Sequence, residues 1–171
     1  MALPRYPDVV DEVTVRLVAA AVLVVGALGL ITGQWWWYAA LALDFVARVS
    51  GGPALSPIAR SVLRWVRPLV SAAPRPTAGP PKRFAAAIGA VLTTVGAVAA
   101  AAAWVTGSAA SATTAFAVGS LMVVFPALEA VAGICVGCLV FARLMRAGVI
   151  PHDVCVACAD ITARNAPAPA R

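Results

Sequence analysis

Long runs of apolar residues dominate this sequence and restrict the environment in which it can fold. The first run covers about residues 13–31 and is interrupted only by Arg16, close to its start. A helix needs about 20 such residues to cross the hydrocarbon core of a bilayer. Because 62% of all residues are hydrophobic and only 12% are charged, an ordinary soluble domain is excluded. The sequence therefore predicts an integral membrane protein.

Four apolar runs predict an all-α fold, a four-helix transmembrane bundle. The predicted parts are a cytoplasmic segment 1–12, spans at about 13–31, 35–50, 84–104 and 114–145, a cytoplasmic loop 51–83, and a short cysteine-containing tail 147–171. In the third span, Gly89 and Gly96 share one helical face, which predicts close helix packing. The fourth run exceeds one bilayer crossing and contains Pro126, so we expect a tilted or kinked helix that continues without interruption through 134–144.

The distribution of basic residues predicts the orientation. The loop between the second and third spans contains Arg60, Arg64, Arg67, Arg75, Lys82 and Arg83, whereas the other two connections contain no Lys or Arg. Positive charge favours the cytoplasmic side. We therefore expect this loop and both termini in the cytoplasm of a bacterium, with the spans in its plasma membrane. The net charge of +6 follows from this topology and from anionic lipid headgroups, so no nucleic-acid partner is predicted.

Part of the basic loop has the pattern of an amphipathic helix. Ser56 and Pro57 form an N-cap and first-turn pair, and apolar residues alternate with arginines after them. We expect this helix to lie on the cytoplasmic membrane surface. The Pro- and Ala-rich stretch 73–81 that follows is predicted to be a linker without fixed structure.

Asp44, Arg48 and Glu129 are ionisable side chains inside the predicted spans that are candidates for function. Asp44 and Arg48 are four residues apart, which favours an intrahelical ion pair, with a proton or substrate contact as the alternative. Glu129 has no charged partner nearby in sequence, and burial would favour its protonated form. Glu129 is therefore a candidate proton carrier, or a donor to a carbonyl that Pro126 leaves free.

All four cysteines occur near the C-terminus in the spacing C-x2-C-x16-C-x2-C, as Cys135, Cys138, Cys155 and Cys158. This spacing is compatible with a four-thiolate site for zinc or an iron–sulfur cluster. It is also compatible with two dithiols, because helical spacing brings Cys135 and Cys138 to one face. Asp153 is a candidate N-cap that would place Cys155 in a first helical turn, where thiols are more acidic.

Both pairs are predicted at the cytoplasmic face, where thiols are kept reduced. A structural disulfide is therefore not expected. The leading hypothesis is a membrane thiol-disulfide oxidoreductase that relays electrons or sulfur between the pairs, with a cytoplasmic thioredoxin-like or other thiol protein as partner. The alternatives are the four-cysteine metal site, simple burial of the thiols, and a non-catalytic assembly subunit.

Several motifs together resemble a known family. These are Trp36-Trp37, Asp44-Phe45 with Arg48, Ser56-Pro57, residues 80–84, Glu129, Cys135-x-Gly137-Cys138 and Cys155-x-x-Cys158 followed by 159–161. The combination is similar to that in bacterial membrane proteins of the family called domain of unknown function 4395. The resemblance implies a multi-pass membrane protein of undetermined activity.

Overall fold

The chain folds into an all-α protein, seen in a computed structural model that describes residues 6–151 and 154. Helices account for about 80% of it, which confirms the predicted class. Helix α1 spans Glu12–Thr32, close to the predicted first span. It begins because the Asp11 carboxylate accepts hydrogen bonds from the backbone N–H groups of Val13 and Thr14, and it ends at Gly33, whose φ of 65° is left-handed.

Helix α2, Trp35–Gly51, packs mainly against α4, Gly79–Thr106. Its Leu41 is fully buried, and its Tyr38 hydroxyl donates a 3.2 Å hydrogen bond to the carbonyl oxygen of Ala115. Glycines allow the close approach: a Cβ at Gly89 would lie 2.7 Å from the Phe45 ring, and one at Gly96 would lie 2.8 Å from Val118. The predicted packing face of the third span is thus confirmed.

Three helices within the described residues are long and apolar enough to cross a membrane. They are Glu12–Thr32, Gly79–Thr106 and Ala109–Ala132, the last combining helix α5, Ala109–Ala127, with a π-helical turn, Leu128–Ala132. Helix α2 has only 17 residues and is shorter than the 18 residues taken as the minimum for a membrane-crossing helix. Its apolar, buried face nevertheless makes it part of the same core.

The prediction of one tilted or kinked helix over 114–145 that continues without interruption through 134–144 is wrong. The chain leaves its helical path after the π-helical turn at Gly133, which has a φ of 70°, and a new helix, α6, covers Val136–Arg146. Two residues explain the break. Pro126 cannot donate to the carbonyl four residues earlier, which weakens the helix, and Gly133 adopts at little cost a left-handed conformation that ends it. Hydropathy alone does not detect this break because residues 130–136 contain only apolar side chains and glycine.

The basic loop is more ordered than the sequence predicts. Ser56 caps α3, Pro57–Ser61, by accepting a 3.0 Å hydrogen bond from the Ala59 N–H, as predicted, and helical turns continue to Leu69. The linker predicted over 73–81 contains strand β2, Pro76–Ala78, which pairs antiparallel with β1, Val9–Asp11. This short sheet joins the N-terminal segment to the start of α4.

Asp11 holds the sheet and the loop together. Its carboxylate accepts hydrogen bonds from the Arg67 guanidinium at 3.1 Å, the Arg75 backbone N–H at 2.9 Å and the Thr14 hydroxyl at 2.7 Å. Burial raises the pKa of Asp11, but these hydrogen bonds outweigh it and lower the pKa to about 2. The charged carboxylate therefore stabilises this corner of the fold.

Candidate functional site

The first cysteine pair lies at the N-terminus of α6, because the break after Gly133 starts a new helix there. Cys135 is the N-cap residue and is buried, while Cys138 lies in the first turn and is half-buried. Of the two residues between them, the one at position 137 must be small, since a Cβ on Gly137 would lie 2.5 Å from the Ala85 Cβ on α4. The sequence predicted a helix N-terminus for the second pair and missed it for the first.

This position makes the two thiols unequal. The Cys138 thiol, acting as a hydrogen-bond donor, lowers the pKa of Cys135, against the opposing effect of burial. The same hydrogen bond, together with burial, raises the pKa of Cys138. The partial positive charge of a helix N-terminus also favours a thiolate. Cys135 is therefore the more acidic thiol of the pair, and Cys138 the less acidic one.

Glu129 has a partner that the sequence did not predict. The Lys82 ammonium on α4 donates a hydrogen bond to Glu129 Oε1, with an Nζ–Oε1 distance of 2.5 Å. Both side chains are mostly buried, with 12% of Lys82 and 19% of Glu129 exposed. The expectation of an unpartnered acid came from local sequence, and it fails because Lys82 is 47 residues away. The ion pair keeps opposite charges together beside the cysteines.

The predicted ion pair between Asp44 and Arg48 is present. Asp44 forms an ion pair with Arg48, and its carboxylate also accepts hydrogen bonds from the Ser56 hydroxyl at 2.7 Å and the Ile58 backbone N–H at 2.8 Å. Only 2% of Asp44 is exposed. Because its oxygen atoms are occupied by donors from α2 and α3, Asp44 anchors the basic loop to the helix core.

These groups border one cavity of about 500 Å³, whose walls are mostly apolar side chains of α1, α4 and α5. Cys135, Glu129, Lys82, Arg48 and Tyr6 all line it. Burial raises the pKa of Tyr6 to about 12, and the nearby positive charges of Arg48 and Lys82 offset only part of this effect. Tyr6 carried no sequence signal, since it precedes the first apolar run. The cavity is thus lined by a thiol, an ion pair and a phenol together with many apolar side chains.

Residues 10–146 match the sequence model of a family described as domain of unknown function (DUF4395). The chain belongs to this family. The resemblance inferred from its motifs is thereby confirmed. No curated protein and no solved structure matches the chain. The DUF4395 region contains Lys82, Glu129 and the first cysteine pair, and it ends before the second pair.

The second cysteine pair, Cys155 and Cys158, lies outside the described residues, as does Asp153. The described residue next to it is Val154, which lines a groove with Tyr6, Phe84 and Phe141. Within residues 6–151 and 154, no three His, Cys, Asp or Glu side chains cluster in a way that could hold a metal ion. The four-thiolate site, which needs both pairs, stays a prediction.

Proposed function

We propose that this DUF4395 protein is a membrane thiol-disulfide relay that passes electrons or sulfur between its two cysteine pairs. The observation that carries the proposal is the position of Cys135, an N-cap thiol with a lowered pKa next to a proton-bearing Cys138. A reactive dithiol needs such an unequal pair, in which one sulfur attacks and the other resolves.

The proposed topology has four spans in the bacterial plasma membrane. They are α1, α2, α4, and α5 with its π-helical turn; the short α2 is included because it packs against α4 in the core. The basic loop and both termini face the cytoplasm in this arrangement. Helix α6 then lies at the cytoplasmic boundary, consistent with Arg143 and Arg146 in its last turn and with packing of its Gly137 against the first turns of α4.

The proposed reaction is an exchange that conserves electrons. A thiolate of one pair attacks the disulfide of the other, and a mixed disulfide between Cys135 and a sulfur of the tail forms while the leaving sulfur takes a proton. A second attack releases one disulfide and one dithiol, so the direction depends only on the two reduction potentials. Glu129, in the same cavity as Cys135, is the proposed proton carrier. Val154 in the groove beside Tyr6 supports the approach of the tail.

A cytoplasmic thioredoxin-like protein is the proposed thiol partner of the tail pair, Cys155 and Cys158.

Thiol counting tests directly whether the two cysteine pairs are redox-active. The full chain is purified in detergent, equilibrated at a series of glutathione potentials, and alkylated, and its free thiols are counted by mass. We expect free-thiol counts of four, two and zero as the glutathione potential becomes more oxidising. Parallel analysis for zinc and iron should show no stoichiometric metal.

The double variants Cys135→Ser/Cys138→Ser and Cys155→Ser/Cys158→Ser serve as matched controls, since each retains one pair. Each should show a single change from two thiols to none. A constant count of four at every potential would contradict the relay. One equivalent of metal that disappears in both double variants would replace it with the four-thiolate metal site.

A further inference from the structure

The cavity described above has an apolar body and a polar end, which is the shape of a site for an amphipathic small molecule. Its body is lined by residues of the membrane-crossing helices, such as Val22 of α1 and Leu92 of α4. Its polar end contains Arg48, Lys82, Glu129 and Cys135. Because the surrounding helices are those proposed to lie in the bilayer, a molecule dissolved in lipid can reach it.

Arg48 indicates what the polar end would bind. Its terminal nitrogen is engaged by Asp44, but its buried Nε has no hydrogen-bond acceptor among the described residues. A buried donor without a partner is unfavourable, so an acceptor atom on a bound molecule would relieve this cost. The ligand should therefore carry a carbonyl or similar oxygen.

The charges at the polar end indicate that this oxygen belongs to an uncharged group. Arg48 is paired with Asp44, and Lys82 is paired with Glu129, so the two cations are already balanced by two anions. A carboxylate or phosphate would add a charge that lacks a partner and would be costly to desolvate. An uncharged carbonyl can accept a hydrogen bond without disturbing either ion pair.

We propose that this cavity binds a membrane-soluble quinone, with its apolar chain against α1, α4 and α5 and a ring carbonyl at Arg48. The inference rests on the proposed relay, since a quinone is the lipid-soluble, uncharged carbonyl compound that a dithiol can reduce. In that step the Cys135 and Cys138 thiols lose two protons and two electrons and form an S–S bond. The quinone gains both and becomes the hydroquinone.

Photolabelling tests the site without depending on redox activity. The full chain in lipid nanodiscs is labelled with an azidoquinone carrying a ten-carbon tail, and the modified peptides are mapped. We expect the cavity peptides to be labelled. Competition by an unlabelled decylquinone should abolish this labelling, whereas competition by palmitate or diacylglycerol should not. Equal competition by these lipids, or label spread over all helices, would overturn the proposal.

Matched variants localise the binding. Leu92→Trp fills the cavity and should abolish labelling, whereas Val91→Trp, at a neighbouring exposed position that does not line the cavity, should leave it unchanged. Arg48→Lys keeps a cation beside Asp44 but removes Nε, and loss of one hydrogen bond predicts about tenfold weaker binding. Equal labelling of the two tryptophan variants would refute the site.

A chain with all four cysteines changed to serine separates this inference from the relay. Labelling should persist in it, because binding depends on Arg48 and the apolar wall. If labelling persists while the native chain exchanges no thiols, the relay fails and the site stands. If thiol exchange is intact and labelling does not map to the cavity, the site fails and the relay stands.

Discussion

The ion pair between Lys82 and Glu129 provides a quantitative test of the site, because it joins α4 to the turn that leads into the cysteine pair. Changing Lys82→Met or Glu129→Gln removes one partner and leaves the other mostly buried. Breaking a fully buried pair costs about 3–5 kcal/mol, and we expect about 2.5 kcal/mol here because some exposure remains. With 12% and 19% of the side chains exposed, solvent can compensate only a small part.

The double variant distinguishes this pairing from two independent effects. With both partners removed, no uncompensated charge is left, so its destabilisation should be about 1–2 kcal/mol, well below the sum of the single changes. The coupling free energy should therefore be about 3–4 kcal/mol, at or slightly above the upper end for residues in contact. In a protein of this size, each single change should lower Tm by about 7 °C.

The assay is reversible unfolding in mixed micelles, followed by helical circular dichroism, for the native chain, both single variants and the double variant. Arg60→Met is the matched control, because it removes the same charge from an exposed position on α3 and should change stability by less than about 0.5 kcal/mol. Strictly additive single changes, or a double variant less stable than either, would refute the pairing.

Three further predictions concern the N-terminal segment, the core and the thiols. Asp11→Asn should lower the free energy of unfolding by about 1 kcal/mol at pH 7 after solvent screening. Since the folded-state pKa of Asp11 is lowered to about 2, the difference in stability between the native chain and this variant should shrink as the pH falls from about 4 towards 2, which unfolding at a series of pH values measures. Gly26→Ala would place a Cβ 2.7 Å from a backbone carbonyl oxygen of α5. The destabilisation by overpacking, about 1–3 kcal/mol, should exceed the stabilisation of about 1 kcal/mol from the higher helix propensity of alanine, so Tm should fall. In a chain whose tail cysteines are serines, Cys138→Ala should raise the pH midpoint for alkylation of Cys135, whereas Cys138→Ser, which keeps a donor, should not; equal midpoints would contradict the thiol hydrogen bond.

The elements that the sequence predicts well are those set by local composition. The first helix follows from its apolar run and the Asp11 cap, and the start of the surface helix follows from Ser56 and Pro57. The intrahelical Asp44–Arg48 pair follows from spacing alone. In each case the interacting groups are within a few residues of each other.

The features that the sequence did not predict depend on contacts between distant segments. The sequence predicts Lys82 only as a loop charge, whereas in the fold Lys82 pairs with Glu129 of the π-helical turn. The strand Pro76–Ala78 forms because the N-terminal segment pairs with it. The break before Cys135 depends on Gly133, whose left-handed conformation interrupts an apolar run without changing its hydropathy.

The central claim is that Cys135 exchanges with the tail cysteines, and trapping of a mixed disulfide tests it most directly. The variant Cys138→Ser/Cys158→Ser keeps only Cys135 and Cys155, and Cys138→Ser/Cys155→Ser keeps only Cys135 and Cys158. After mild oxidation and proteolysis, we expect one of them to give the cross-linked peptide in high yield. The control carries its cysteine at exposed Ala110, in the first turn of α5 and far from its Glu129 end, instead of at 135. A yield from both Cys135 variants no greater than that of the control would contradict the relay.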